Sequence, residues 1–298
     1  MKIKNVCCII VTYNIGISFY KCFNSIYNQV DKVIVVDNGS DKNTIKVLNE
    51  IEKEYKDITI VYNKENQGIA TALNQGIQYA ISNNYEWVLT MDNDSEATNN
   101  MVNTMKNVYE SINLKEREDI ISIFPSYIEK GYEQYENIKE SDSNNFEFDF
   151  VEAEITSGNM VKTNVFKDLG LLEEKLFIDL VDVEICLRLL KNNLKMIKVK
   201  GAILLHSLGN STKRKILTKE VAVTNHSALR RYYITRNRLE IWKMYKGLEC
   251  QYLRNSKKDF IKEALTLLLF EKDKISKFKA IRQGVKDYRN NIFGKKII

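Results

Sequence analysis

The sequence lacks the features that send a chain into or across a membrane. No apolar run approaches the roughly 20 residues that a helix needs to span a bilayer. Lys2 and Lys4 lead directly into an apolar strand pattern, so we expect no signal peptide. The five cysteines, an odd number without regular spacing, argue against a disulfide framework or a zinc motif. We therefore expect a cytoplasmic protein with reduced, buried thiols.

Two glycine-rich phosphate-binding motifs are also missing. The sequence contains neither Gly-x-Gly-x-x-Gly after a predicted strand nor Gly-x-x-x-x-Gly-Lys. Their absence argues against a dinucleotide fingerprint and against a P-loop. If the protein binds a nucleotide, its phosphates must be neutralised in another way, and a divalent metal ion is the obvious candidate.

The charge of the chain is distributed unevenly. Residues 211–298 contain 23 Lys and Arg against 8 Asp and Glu, whereas residues 1–210 contain 22 against 31. Helical patterns over 257–271 and 273–290, the former with several leucines, favour a basic amphipathic surface at the inner face of a membrane. A helical cap with solvated Lys and Arg is the alternative. A basic segment can also bind nucleic acid, but we do not expect nucleic-acid binding here.

Strand and helix patterns alternate over the first ~95 residues. Buried strands are predicted at 5–12, 33–36, 58–62 and 87–92, with amphipathic helices between them. Such alternation predicts a parallel sheet with right-handed crossovers. Later patterns predict a helix over 96–112, a strand from Ile120 to Phe124 that ends at Pro125, an exposed excursion at 129–149, and strands at 195–199 and 202–205.

Polar side chains follow these strands where each one ends. The loops are Thr12-Tyr13-Asn14, Asp37-Asn38-Gly39-Ser40, Asn66-Gln67-Gly68 and Asp92-Asn93-Asp94. Asn, Asp and Gly in any one loop are typical of a simple turn. Because the carboxyl ends of parallel strands meet at one edge, the four loops together predict a nucleotide pocket. Asp92 and Asp94 have the spacing and the oxygen ligands that suit a divalent cation holding a diphosphate.

The second half adds further acids and a histidine. Asp179, Asp182 and Glu184 surround the start of a predicted helix, and Glu184 has Arg188 at i+4 as an ion-pair partner. His206 follows the strand at 202–205. Beyond residue 216 the pattern is helical, and one helix face is predicted to carry His226, Arg230, Tyr233 and Asn237.

These motifs resemble family 2 inverting glycosyltransferases. The four polar loops, with Ala70 and Asn74 after Gly68, are similar to the nucleotide-sugar half of that family. The second half resembles its bacterial rhamnosyltransferase branch, through Ser157-Gly158-Asn159, Phe177-Ile178-Asp179, Asp182-Val183-Glu184, His206-Ser207-Leu208-Gly209 and Arg230-x-Tyr232-Tyr233-x-x-Arg236-Asn237. The resemblance spans about residues 5–240.

The resemblance implies the GT-A fold, an α/β fold with a Rossmann-like, mostly parallel central sheet flanked by helices. We place this catalytic domain at 1–215, with a nucleotide-sugar half at about 1–98 and an acceptor half at about 99–215. A helical, basic C-terminal extension would follow at 216–298.

The resemblance also implies roles for individual residues. The nucleotide-sugar donor, a dTDP- or UDP-sugar, would be bound by Thr12, Tyr13, Asn14, Asp37, Asn66, Gly68, Asn74, Asp92 and Asn93. Mg²⁺ or Mn²⁺ would be held by Asp94, Asp92 and His206. Arg230, Tyr232, Tyr233 and Arg236 would contact the acceptor or the diphosphate, with helix packing as the alternative.

Asp182 is the residue expected to act as general base. Many family members carry Glu-Asp at this point, whereas this chain has Val181-Asp182, so Asp179 and Glu184 stay open as substitutes. A structural interpretation competes, in which Asp179 is the N-cap and Asp182 the third residue of an ordinary helix start.

The function implied is transfer of a sugar, with rhamnose as a candidate, from a nucleoside-diphosphate sugar to a saccharide or lipid-linked acceptor in cell-surface polysaccharide synthesis. One alternative is a sugar-phosphate nucleotidyltransferase, which needs a glycine-rich basic loop near the amino terminus. The segment from Thr12 to Gly16 contains no arginine. The other alternative is a non-catalytic scaffold that binds a nucleotide-sugar or glycan; the joint presence of Asp92, Asp94, Asp182 and His206 argues against it.

Overall fold

A computed structural model describes residues 3, 5–130, 146–206, 212–216 and 219–296. Most of the predicted excursion at 129–149 and the Ser207–Gly209 part of the histidine motif lie outside the described residues. The strands are β1 Val6–Thr12, β2 Lys32–Asp37, β3 Ile58–Tyr62, β4 Trp87–Asp92, β5 Glu96–Ala97, β6 Ile120–Glu129, β7 Phe148–Phe150, β8 Met160–Lys162, β9 Lys195–His206, β10 Thr212–Ile216 and β11 Lys219–Val223.

Helices lie between most of these strands and make up the carboxyl-terminal part. They are α1 Phe19–Ile26, α2 Lys42–Glu54, α3 Ile69–Ser82, α4 Met101–Ser111, α5 Leu114–Arg117, α6 Asn164–Asp168, α7 Val181–Lys191, α8 Ala228–Met244, α9 Gln251–Phe270 and α10 Lys274–Arg289. None of the helices in the described part of the chain combines the length and hydrophobicity that crossing a bilayer requires.

The central sheet is mixed. Its strand order is β3-β2-β1-β4-β8-β6-β9-β5, and β7 pairs with β9. The strands β3, β2, β1 and β4 are all parallel, as the alternating pattern predicts. β8 runs antiparallel to both β4 and β6, so the second half departs from a purely parallel arrangement.

Register brings the polar strand ends together. Thr12 at the end of β1 is paired with Asp37 at the end of β2, and Val11 is paired with Asp92 at the end of β4. Every residue of β1 is buried, as expected for a strand at the centre of a covered sheet. The convergence of polar loops at one sheet edge is therefore confirmed.

Helices cover both faces of the sheet. One core contains Phe19, Leu48 and Met105, contributed by α1, α2 and α4. The other contains residues of α3, α6 and α7. The approach of α3 is close because it carries Gly76, where an added Cβ would lie 2.5 Å from Ile9 Cγ2.

Several predicted element boundaries are wrong. β6 continues past Pro125, with a register shift between Pro125 and Ser126 that accommodates the residue lacking an N–H. The helix predicted over 96–112 is a short strand, β5, followed by α4. The two strands predicted at 195–199 and 202–205 are one strand, β9.

Two further predictions concern the carboxyl-terminal region. His226 precedes α8, because Ser227 is the N-cap and accepts a hydrogen bond from the amide of Arg230. His226 is thus not on the helix face with Asn237. The predicted domain boundary after residue 215 falls within β10, and the domain division stays a prediction.

Candidate active site

A cavity of about 250 Å³ opens at the carboxyl edge of the parallel strands. One wall is formed by the acidic loop after β4, and the opposite wall by Phe177 and Ile178 from the loop before α7. Of the predicted donor and metal residues, those that line it are Tyr13, Asn66, Gly68, Asp92, Asn93 and Asp94.

Thr12 and Asp37 do not line this cavity; both are buried, and their chain neighbours Tyr13 and Asn38 line it. Thr12 Oγ1 donates to Asp37 Oδ1 at 3.1 Å. The amides of Gly39 and Ser40 donate to Asp37 Oδ2 at 3.2 and 3.0 Å. Both carboxylate oxygens are therefore engaged in fixing the loop after β2, and this pair is positioned to shape the edge of the cavity.

Asn38 is the centre of the hydrogen bonds that shape the cavity. Its Nδ2 donates to Asn66 Oδ1 and to the carbonyl of Gly68, and its Oδ1 accepts from the amide of Gln67. The sequence alone does not indicate this hydrogen-bonding role of Asn38, because its partners lie about 30 positions away.

Asn14 and Asn74 have other roles in the fold. Asn14 Oδ1 accepts from the amide of Asp41, and the amide of Asn14 donates to Ser40 Oγ. Asn74 Nδ2 donates to the carbonyl of Leu172 and to Glu174 Oε1. Neither side chain lines the cavity, so we carry neither into the proposed donor site.

The loop after β4 and the end of β9 form a cluster of metal-binding groups. Asp92, Asp94 and His206 each offer a ligand atom, and these atoms lie within 4.8 Å of one another. Burial lowers the pKa of His206, and Lys130 lowers it further against the opposing effect of Asp94. A neutral imidazole and two carboxylates are a donor set that Mn²⁺ and Mg²⁺ accept.

Two serines hold this cluster in place. Ser95 Oγ lies 2.9 Å from His206 Nδ1 and accepts a hydrogen bond from Ser157 Oγ. Ser157 Oγ in turn accepts from the amide of Asp92. Side chains behind the ligands orient metal sites in this manner. The orienting role of Ser157 was not predicted, since it depends on a contact across 65 residues of sequence.

Asp182 reaches the same edge from α7. Its Oδ1 accepts from the amide of Val183 at 2.8 Å. Burial raises the pKa of Asp182 to about 6; the Val183 amide opposes the shift, while the charges of Asp92 and Asp179 add to it. The pKa of Asp92 is raised to about 6 as well, by burial and by Asp94. The carboxylates on the two sides of the edge therefore interact electrostatically.

Comparison with known proteins identifies the family. The sequence model "Glycosyl transferase family 2" matches residues 7–168, more than half of the chain. The chain belongs to glycosyl transferase family 2. Among curated relatives, the dTDP-rhamnosyl transferase RfbF of Shigella flexneri is 28% identical over 248 residues, which are 78% of each protein.

Solved structures agree on the fold of this glycosyltransferase. The mannosyltransferase PcManGT of Pyrobaculum calidifontis, solved with GDP-Man and Mn²⁺, aligns with 97% of this chain and 83% of its own at a TM-score of 0.59 and 14% identity. GalNAc-T7, solved with UDP, GalNAc and Mn²⁺, aligns at a TM-score of 0.54 and 15% identity; 68% of this chain matches 43% of that one. The predicted GT-A fold is confirmed.

The structure distinguishes the three candidate bases of this glycosyltransferase, which are the carboxylates around the start of α7. Glu184 is buried and bound by the Nε and Nη2 of Arg188, and Tyr245 Oη donates to it at 2.6 Å. Its lone pairs are thus engaged away from the cavity, which argues against Glu184 as a base. Asp179 is not the N-cap, because Leu180 occupies that position. The capping interpretation of the pair Asp179 and Asp182 is wrong.

The loop that delivers Asp182 has a strained backbone. Phe177, Asp179 and Leu180 have φ angles of 66°, 63° and 64°, a region that non-glycine residues seldom occupy. Asn237 Nδ2 lies within 2.9 Å of the carbonyl oxygens of Leu176, Ile178 and Asp179 and holds the loop in this form. Backbone strain held by surrounding contacts is common at active sites.

The helix face predicted to contact substrate is mostly structural. Arg236 is fully buried and donates to the carbonyls of Leu176 and Gly294. Tyr232 donates to Asp287, and Tyr233 stacks on Phe177 with ring centroids 5.4 Å apart. For Tyr232 and Arg236 the helix-packing alternative is therefore the one the structure favours.

The raised pKa of Asp182 predicts a pH-dependent gain of stability on neutralising it. Above pH 6 the native protein carries an unfavourable charge there, whereas at pH 4 the carboxyl is protonated in the native state. Asp182→Asn should therefore raise the free energy of unfolding by about 1–2 kcal/mol at pH 8, and by little at pH 4. Urea unfolding in EDTA at both pH values measures the difference.

Glu184→Gln is the matched control, since it also replaces a carboxylate of α7 by an amide. It should destabilise the protein by about 3 kcal/mol at pH 8, because it disrupts a buried ion pair. If the Asp182→Asn protein is less stable than wild type at pH 8, the Asp182 carboxylate does not oppose folding, and this prediction is wrong.

Proposed function

We propose that the protein is an inverting, metal-dependent glycosyltransferase that moves a sugar from a nucleoside-diphosphate sugar to a saccharide or lipid-linked acceptor. The observation that carries this proposal is the arrangement of two groups of acids at one sheet edge. Asp92 and Asp94 lie with His206 on one side, and Asp182 reaches the edge from the other. Glycosyl transfer needs one group that neutralises the leaving diphosphate and another that removes a proton from the attacking hydroxyl. The metal-binding cluster suits the first task, and Asp182 suits the second.

The donor is placed in the cavity of about 250 Å³ beside Asp92 and Asp94. Tyr13, Asn66 and Gly68 line it, and Gly68 is the N-cap of α3, a helix end whose dipole favours an anion. Thr12 and Asp37 support the base or ribose from below. Asp94, Asp92 and His206 would hold Mg²⁺ or Mn²⁺, which when bound offsets the charge of the leaving nucleoside diphosphate.

Asp182 is proposed as the general base. A carboxyl with a pKa of about 6 is ionised at neutral pH and still basic enough to accept a proton. Asp182 would remove the proton of the acceptor hydroxyl while that oxygen attacks the anomeric carbon opposite the diphosphate. Attack from the opposite side inverts the configuration.

Rhamnose is the donor sugar that we favour, with dTDP or UDP as the nucleotide. The support is the 28% identity to a dTDP-rhamnosyl transferase over 78% of the chain. As the sequence resemblance implied, we also propose that the product belongs to a cell-surface polysaccharide. Release of nucleoside diphosphate from purified protein, measured against UDP-, dTDP- and GDP-sugars, tests both the reaction and the donor.

We also propose that the carboxyl-terminal helices touch an anionic membrane surface. On α9, Ile261, Leu265, Leu268 and Leu269 are 49–63% exposed and share one face. The exposed Lys257, Lys258 and Lys262 lie on the same helix. Apolar side chains flanked by lysines are typical of helices that lie in a membrane interface.

Replacement of the base should abolish transfer but leave donor binding intact. Asp182→Asn keeps the hydrogen bond from the Val183 amide and removes the proton acceptor, so kcat should fall by about 10²–10⁴-fold. Transfer is followed with the donor that the screen selects, and donor affinity by calorimetry. Near-normal turnover of Asp182→Asn would indicate that Asp179, and not Asp182, is the base.

Removal of a metal ligand should abolish metal binding and turnover together. Asp94→Ala should lower affinity for Mn²⁺, measured by electron paramagnetic resonance, and reduce nucleoside diphosphate release by about 100-fold or more. Glu52→Ala, which removes an exposed carboxylate on α2, is the control and should bind Mn²⁺ as wild type does. Full activity of the wild-type protein in EDTA would refute the metal role.

Charge placed on the apolar face of α9 should prevent membrane binding. Leu265→Glu with Leu269→Glu should abolish flotation with vesicles that contain phosphatidylglycerol, because both side chains would have to be desolvated as anions. Leu114→Glu changes a leucine that is 65% exposed on α5 and should float as wild type does. Equal flotation of all three proteins would contradict this proposal.

A further inference from the structure

A cavity of about 430 Å³ lies at the amino end of β4. Trp87, the first residue of β4, is part of its wall, whereas Asp92 ends the same strand beside the donor cavity. A strand rises about 3.3 Å per residue, so the two ends of β4 are roughly 17 Å apart. Among the described residues, none lines both cavities. A ligand in this cavity would therefore be separate from the donor and from the metal ion.

The wall of this cavity is positively charged. Arg117, Lys162 and Lys167 line it. Glu86 is the only acid among its described lining residues, and the side chain of Glu86 is exposed. Lys167 is exposed as well, whereas Arg117 is only 6% exposed and Lys162 is partly buried. The charges of the wall that are shielded from solvent are thus both cations.

Neither of these two cations has a carboxylate as an ion-pair partner in the described part of the chain. Arg117 Nη1 donates to the carbonyl of Glu110 at 3.3 Å, and Lys162 Nζ donates to the carbonyl of Glu118 at 3.4 Å. Both distances exceed the roughly 2.7–3.2 Å that is usual for N–H···O bonds. Because charges shielded from water are normally paired, both cations lack a counter-ion.

The guanidinium of Arg117 has donors to spare. Its Nε and Nη2 make no hydrogen bond to any residue that the structure describes, and neither belongs to the polar atoms that are fully buried without a partner. Both nitrogens therefore keep accessible surface and can reach a ligand. The planar fork of a guanidinium matches two oxygens of a phosphate or a carboxylate.

Aromatic rings hold the two cations in place. Arg117 Cζ lies 5.2 Å from the centre of the Tyr109 ring, and Lys162 Nζ lies 5.5 Å from the same centre. Lys162 is also the cross-strand partner of Trp87, and its Nζ lies 5.9 Å from the centre of that ring. Contacts of this kind position a cation but leave its charge in place. The two side chains are thus ordered before any ligand arrives.

The two cations also disfavour each other's charge. Burial lowers the pKa of Lys162, and the charge of Arg117 lowers it further. Asp119 and Glu118 oppose this shift, but both are exposed, and Asp119 pairs with Lys195. Because a nearby anion favours the charged form of a lysine, a bound anion would relieve this conflict.

We propose that this cavity binds an anion of the phosphate class, either inorganic phosphate or the phosphate group of a small organic molecule. Arg117 donates to two phosphate oxygens, and Lys162 supplies the second positive charge. The volume of about 430 Å³ is within the range of roughly 300–1,000 Å³ that is usual for ligand sites. The inference goes beyond the proposed function and does not depend on it, because neither cation lies at the donor edge of the sheet.

Calorimetric titration of the full-length protein with inorganic phosphate tests the site. The titration is done in EDTA, so that no metal ion at Asp92 and Asp94 recruits phosphate to the donor cavity. Lys162→Met removes the charge but keeps an unbranched apolar side chain against Trp87 and Tyr109. The Kd for phosphate should rise at least about 10-fold, because one charge-assisted contact is lost. Phosphate should also raise the unfolding temperature of wild type more than that of the variant.

A second variant and a matched control accompany Lys162→Met. Arg117→Gln should weaken phosphate binding at least as much, and its unfolding transition in phosphate-free buffer shows whether it is folded. Lys115→Met makes the same change as Lys162→Met at an exposed position of α5 that does not line the cavity. The Lys115→Met protein should bind phosphate as wild type does.

Glycerol 3-phosphate distinguishes the two sources of the anion. If wild type binds it more tightly than inorganic phosphate, and Lys162→Met loses that affinity, the cavity takes an organic phosphate. Equal or weaker binding of glycerol 3-phosphate, again with a loss of phosphate affinity in Lys162→Met, identifies inorganic phosphate as the ligand.

Three results would overturn the inference, and none of them bears on glycosyl transfer. One is the absence of binding of either compound to wild type at millimolar concentrations. Another is equal binding by wild type, Lys162→Met and Arg117→Gln, which would place the anion elsewhere on the protein. The third is an equal loss of affinity in Lys115→Met and Lys162→Met, which would attribute binding to the general charge of the surface.

Discussion

The structure depends on a convergence of negative charge at one edge of its sheet. Asp92 and Asp94 end β4, and Asp182 reaches the same edge from α7. Burial, with smaller contributions from the charges of Asp92 and Asp179, raises the pKa of Asp182 to about 6. The native state therefore carries a charge at Asp182 at neutral pH that opposes folding, a feature typical of sites selected for chemistry rather than stability. A divalent cation beside Asp94, together with a neutral His206, would relieve part of that repulsion.

The position of Asp182 depends on residues far away in the sequence. The loop before α7 contains three non-glycine residues with positive φ, each of which costs on the order of 1–3 kcal/mol. Asn237 on α8 offsets part of that cost through contacts with three carbonyl oxygens, and Arg236 adds a further contact at Leu176. The amide of Ile69 donates to the carbonyl of Phe177 and ties the same loop to the donor side. The loop therefore joins the donor cavity, the base and the carboxyl-terminal helices.

Sequence patterns predicted the parts of the site that local chemistry determines. Buried strands followed by acids, such as β4 with Asp92 and Asp94, are set by hydrophobic runs and turn residues within about ten positions. The orienting roles of Asn38, Ser157 and Asn237 depend on pairings across 28 to 65 residues, which one sequence does not reveal. From the sequence, Asp182 was the expected base, and Glu184 was an open substitute with Arg188 at i+4 as a possible ion-pair partner. The buried contacts with Arg188 and Tyr245 argue against Glu184, because they engage its oxygens.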